Sequence, residues 1–276
     1  MNETQKIKQS VSNYMESKNY KILDLFYKMP CNNCNTVNNW GAKFSFFPDI
    51  LLYHENKYYF CFVLDNKNKI QETKNYIDKY DFLENFKIYY VEDNKLFELE
   101  NEKFILKYEN LKFQEILFSK KPKTFKSKVG KWEENRNFGK LGENKLIEYF
   151  DKTKTKYIEL NFNAPCDGCS DPEDWKRFNK LPDGILRENN NYYFFDAKAK
   201  SSRNYIGKIN KRDFYEYLKI KKLLNLNLKI FFLLFDYNKK LKEIFLSNID
   251  TGNVNIPKAW DGNKLIDLSN NLTQLY

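Results

Sequence analysis

Hydrophobic positions recur along the C-terminal half with two different periods. Leu146, Ile147 and Phe150 fall three and four residues apart, the spacing of one helical face, and predict a helix ahead of a strand at Tyr157 to Phe162. Two short runs follow, Asp183 to Leu186 and Tyr192 to Lys198. The polar turn Glu188-Asn189-Asn190-Asn191 lies between them, so they read as a β-hairpin. Helical spacing returns over Phe214 to Leu224, and Lys229 to Phe235 has the unbroken apolar character of a buried strand.

The same order is written once before. Lys6 to Trp40 aligns without gaps on Leu141 to Trp175, with Tyr14/Tyr149, Lys21/Lys156, Leu25/Leu160, Pro30/Pro165, Cys31/Cys166, Cys34/Cys169 and Trp40/Trp175 coinciding. After one residue of slippage, Phe47-Pro48-Asp49-Ile50-Leu51-Leu52 meets Leu181-Pro182-Asp183-Gly184-Ile185-Leu186. Each copy therefore reads as helix, strand, CxxC loop, hairpin, helix, strand, and Lys87 to Val91 is the last strand of the first copy. The polar, basic stretch Ser119 to Lys128 separates them. The expected organisation is an α/β chain of two tandem units: a first domain over 1–120, a basic linker over 121–135 and a second domain over 136–276.

Composition narrows the partners more than the fold. With 42% hydrophobic residues the chain can bury a core and is not a disordered polypeptide. The longest apolar run, Ile230 to Phe235, is far too short to span a bilayer, and Met1 to Ser10 is polar, so a soluble, cytoplasmic protein is expected. A formal charge of +10 favours a polyanionic partner, although a lysine-rich composition alone produces the same number.

Candidate chemistry concentrates in the second hairpin. Pairing across its turn sets Asp183 opposite Asp196, and alternation along the strand puts Lys198 on the face of Asp196. Upstream, Gly139-Lys140-Leu141-Gly142-Glu143 opens the predicted helix. Glu143 lies on its inward side, where a carboxylate is costly unless it has a partner. Pro182-Asp183 followed by Asp196-Ala197-Lys198, behind a helix with an inward Glu, resembles the PD-(D/E)xK nuclease superfamily of restriction endonucleases and junction resolvases. The α-β-β-β-α-β order agrees with that family's core. The resemblance implies two restriction-endonuclease-like units related by a pseudo-twofold axis. It also implies Mg2+ or Mn2+ held by Asp183, Asp196 and the Ala197 carbonyl, Lys198 orienting the attacking water, and Glu143 holding metal or water from the helix side. Lys200, two residues on, could share the role of Lys198.

The first copy lacks these residues. Its hairpin sets Phe62 opposite Asp49, puts Leu64 at the lysine position, and its helix carries Lys8 in the place of Glu143. Its one D-x-K, Asp65-Asn66-Lys67, begins three residues too late, on the opposite face and about 10 Å further along. This unit reads as an inactive nuclease fold.

Cys31, Cys34, Cys166 and Cys169 have the spacing of thiolate ligands and are expected to hold a structural Zn2+, with free thiols and redox chemistry as the alternatives. Lys200, Lys208, Lys211 and Arg212 follow the D-x-K strand and suit phosphate contacts, though a solvated helix face has the same pattern. The function expected is a Mg-dependent endonuclease acting on double-stranded DNA, in the form of a type II restriction endonuclease. The alternatives are a Holliday-junction resolvase or repair nuclease on branched DNA, and a non-catalytic zinc-stabilised DNA-binding module. One site per chain suggests a homodimer for double-strand cutting.

Overall fold

A computed structural model describes residues 3–25, 48–79, 85–113, 129–160, 182–249 and 265–276. They divide into two compact units, one within 3–113 and the other within 129–276. Both are mixed α/β, and each is built on a six-stranded mixed sheet.

Unit 1 begins with helix α1 (Glu3–Ser17), which packs Val11 and Met15 inward and ends where Asn19 takes a left-handed φ of 64°. Strands β1 (Lys21–Asp24), β2 (Ile50–His54) and β3 (Lys57–Leu64) form an antiparallel meander. Helix α2 (Ile70–Lys79) then crosses over to β4 (Phe86–Glu92), parallel to β3. Strands β5 (Lys95–Glu100) and β6 (Lys103–Tyr108) extend the sheet to the order β1-β2-β3-β4-β5-β6. The two-residue turns Glu55-Asn56, Asp93-Asn94 and Asn101-Glu102 all have positive φ, which matches the right-handed twist of the strands they join. Cys61 is fully buried among Ile22, Ile50, Val63 and Tyr89, and burial raises its thiol pKa, so it is a core residue.

Unit 2 repeats this wiring. Helix α3 (Val129–Thr153) leads into β7 (Lys156–Glu159), β8 (Gly184–Glu188) and β9 (Asn191–Lys200), again an antiparallel meander. After the short β10 (Lys208–Asn210), helix α4 (Lys211–Leu224) crosses to β11 (Asn227–Phe235), parallel to β9. Strands β12 (Leu241–Ile249), β13 (Leu265–Asp267) and β14 (Leu272–Gln274) follow, and the sheet order is β14-β12-β11-β9-β8-β7. Position for position, with the same single parallel pair, this is the sheet of unit 1. Strands β10 and β13 pair separately.

Two expectations change. Helix α3 already starts at Val129, so 129–135 of the stretch read as linker are its first turns; 121–128 lie outside the described residues. Gly139 to Glu143 consequently sits mid-helix and does not open it. The strands beyond the α-β-β-β-α-β core were not foreseen, because β5, β6, β12 and β14 mix apolar with polar residues and are partly exposed, so none has the unbroken apolar run of a buried strand. Among the described residues no helix is long and apolar enough to cross a membrane.

Candidate active site in unit 2

The hairpin register sets the geometry. Gly184 pairs with Phe195, one step inside the position where Asp183 meets Asp196, as the sequence pattern requires. Asp183 stands where the ladder ends and ties three strands there. Its main-chain carbonyl accepts from Leu160 N–H at 2.7 Å, and its Oδ2 accepts from Ala197 N–H at 2.6 Å. Asp49 of unit 1 makes the same two bonds, with Leu25 and Val63, each at 2.7 Å. The aspartate at this position therefore has an architectural task in both units, and by itself does not mark chemistry.

What differs is the strand that follows. In β9, Tyr193, Phe195, Ala197 and Ala199 pack toward α3, so Asp196, Lys198 and Lys200 point to the other face, under α4. Asp196 is completely buried. Its Oδ1 accepts from the Tyr217 hydroxyl at 2.5 Å, and its Oδ2 lies 2.5 Å from Lys198 Nζ. Asp213, one turn before Tyr217 on α4, places Oδ2 3.9 Å from the same ammonium. Asp213 and Tyr217 were missed in sequence; their i, i+4 spacing opposite a D-x-K strand was the available signal.

Electrostatics assigns the protons. Burial works against the charge on Lys198, but the carboxylates of Asp196, Asp183 and Asp213 outweigh it and raise its pKa, so it stays an ammonium. Burial, then the neighbouring carboxylates with Asp196 foremost, raise Tyr217, which keeps its proton and serves as a donor. Lys200 goes the other way: burial and the adjacent Lys198 charge lower it to about 8, while its Nζ donates to the Lys208 carbonyl at 2.8 Å.

Glu143 lies on α3, the helix packed on the Ala197 and Ala199 face of the sheet, opposite the face of Asp196 and Lys198. Its neighbour Gly142 makes this possible, since a Cβ there would come within 2.9 Å of Ala199 Cβ. The matching position of unit 1 shows what a side chain there can reach: Lys8 Nζ lies 2.6 Å from Asp49 Oδ1. Among the described residues no group of three or more His, Cys, Asp or Glu gathers closely enough to hold a metal ion.

Unit 1 fills the β9 positions with apolar side chains. Phe62 packs against Tyr76 of α2 at 5.9 Å between ring centroids, and Leu64, two residues on, is buried. Its Asp65 and Lys67 form surface pairs with Lys69 (2.7 Å) and Glu92 (3.0 Å). Lys208 and Lys211 sit on β10 and at the start of α4, with Arg212 next in the helix. Cys31, Cys34, Cys166 and Cys169 lie outside the described residues. No protein-family profile, curated protein or solved structure matches the chain.

Proposed function

We propose that unit 2 is a metal-dependent endonuclease that hydrolyses phosphodiester bonds in DNA, and that unit 1 is its inactive sibling. One observation carries the reading. The same topology and hairpin register are achieved in unit 1 with Phe62 and Leu64, whereas unit 2 has buried Asp196, Asp213 and Tyr217 and a largely buried Lys198 at that place. Burying ionised groups where apolar ones suffice costs stability, and such clusters concentrate where chemistry needs them.

A hard divalent cation takes oxygen donors, and the carboxylates of Asp196, Asp183 and Asp213 all act on Lys198, with Lys200 as a second cation beside it. Asp183 and Asp196, with the Ala197 carbonyl between them, would hold Mg2+ or Mn2+. When bound, the ion would supply Lewis acidity toward the phosphate and a more acidic water. The remaining roles belong to the chain itself. Lys198, permanently charged, stabilises negative charge developing on phosphate and does not act as a base. Tyr217 donates to Asp196 and orients that carboxylate. Asp213 tethers the Lys198 ammonium from α4. In the same reading the CxxC cysteines carry structural zinc.

The test is incubation of the purified chain and Mg2+ with plasmid DNA and with junction and flap DNA, beside Asp196→Asn and Lys198→Met. Expected is cleavage by the wild type, abolished by EDTA and lowered at least a hundredfold in either variant. Discrete plasmid fragments identify a type II restriction endonuclease, and cutting confined to junctions or flaps identifies a resolvase or repair nuclease. A folded wild type that cuts no DNA with either metal overturns the proposal in favour of a DNA-binding module.

A further inference from the structure

From Ala197 to Arg212 the chain carries Lys198, Lys200, Arg203, Lys208, Lys211 and Arg212 without one acidic residue. The segment leaving β9 is held as a platform. Ser202 and Arg203 carbonyls accept from Tyr205 and Ile206 N–H at 3.1 and 3.0 Å, and β10 is paired with β13. Ile206 and Ile209 are buried beneath it. Gly207 has a φ of +81°, and a Cβ there would sit 2.8 Å from Ser269 Oγ; its carbonyl accepts from Leu268 N–H at 2.7 Å. The Lys200 bond to the Lys208 carbonyl fastens the platform to the end of the catalytic strand.

On this fixed support stands Tyr205, half exposed at 50%. Lys208 Nζ lies 6.0 Å from its ring centroid, and Lys211 Nζ lies 5.7 Å from that of Tyr215. Glu243 is paired with Arg203, and Asp267, opposite Lys208 in the β10–β13 ladder, accepts from the Ser269 N–H and hydroxyl. An immobilised aromatic face beside ammonium groups is the arrangement that binds unpaired nucleotides, bases stacking on the ring and phosphates meeting the lysines. Inside a duplex both faces of a base are covered by its neighbours, so an intact double helix has nothing to offer Tyr205.

We propose that this platform binds single-stranded DNA, with an unpaired base on Tyr205 and adjoining phosphates on Lys208 and Lys211. The substrate cut at β9 is then DNA with an unpaired segment beside the scissile bond, such as a flap, a junction arm or an overhang. The substrate half rests on the nuclease reading above; the binding half stands without it.

The experiment is fluorescence anisotropy of the full chain, without divalent metal, on labelled oligothymidylate, a blunt duplex and the same duplex with a flap. Oligothymidylate and flap are expected to bind more tightly than the duplex. Tyr205→Ala should weaken both about tenfold and leave the duplex unchanged, and Tyr205→Trp should restore binding. Equal affinity of Tyr205→Ala and wild type for oligothymidylate, or preference for the blunt duplex, overturns the inference. Tyr205-dependent binding without cleavage of any DNA would remove the nuclease reading alone. Metal-dependent cutting of the flapped duplex at the same rate in Tyr205→Ala and wild type would remove this inference alone.

Discussion

If the charges under α4 are present for chemistry and not for folding, removing them together must cost far less than removing one. Lys198→Met isolates the effect. It strips the counter-charge, 2.5 Å away, from a carboxylate with no solvent exposure; the lysine side chain itself is only 16% exposed, so screening by water is small. Breaking one partner out of a buried pair costs about 3–5 kcal/mol, because the survivor is left as an uncompensated charge. Adding Asp196→Leu removes that charge, and adding Tyr217→Phe removes the donor that would otherwise lose its acceptor, a loss worth about 1–3 kcal/mol. Asp213 loses only a 3.9 Å ion pair. The triple variant should therefore recover to within about 2 kcal/mol of wild type, as expected when apolar groups replace a buried ionic set. Urea unfolding of the full chain measures this, following the transition of unit 2 where the two units unfold separately. A triple variant less stable than Lys198→Met alone would show that the cluster holds the fold together, and the argument for a functional site would fall with it.

The other predictions concern the supports of the two sites. Lys8→Met leaves Asp49, whose side chain is 12% exposed, without its ion pair and should destabilise unit 1 by about 3 kcal/mol in urea unfolding, while Lys8→Arg retains most of the stability. Gly142→Ala should lower stability by about 1–3 kcal/mol through its collision with Ala199, although alanine is the better helix former. Gly139→Ala, with nothing within 4 Å, should raise it by up to about 1 kcal/mol, and thermal melts of the pair give opposite signs. Lys200 has a folded pKa of about 8, below its unfolded value of about 10.4, so the folded state bears the cost of a buried charge below pH 8 and sheds it as pH rises between the two values. Lys200→Met should accordingly gain most over wild type below pH 8, with the margin shrinking toward pH 10; a margin that grows with pH contradicts the assignment.

The hairpins, their register and the duplication were legible in the chain because each depends on local information. A two-residue turn of Asn189 and Asn190 fixes which residues face one another, and alternation assigns the faces, so Asp183 could be set opposite Asp196 and Lys198 beside it without coordinates. The duplication also exposed the loss of Asp196 and Lys198 equivalents at Phe62 and Leu64.

Long-range packing decided the rest. Which sheet face receives which helix cannot be read from alternation alone, and it is this that sets Asp196 and Lys198 under α4 with Tyr217 and Asp213, and Glu143 on the side of α3. Tyr217 lies 21 residues beyond Asp196 and meets it only through the crossover from β9 by way of α4 to β11. Edge strands such as β6 and β14 form because a neighbouring strand offers them a ladder, not because their own residues demand it. The charge states follow the same division. Lys198 and Lys200 are the same residue type two positions apart on one face. Only the carboxylates that tertiary packing collects around Lys198 keep it charged, while the burial and like charge that packing imposes on Lys200 bring it down to about 8.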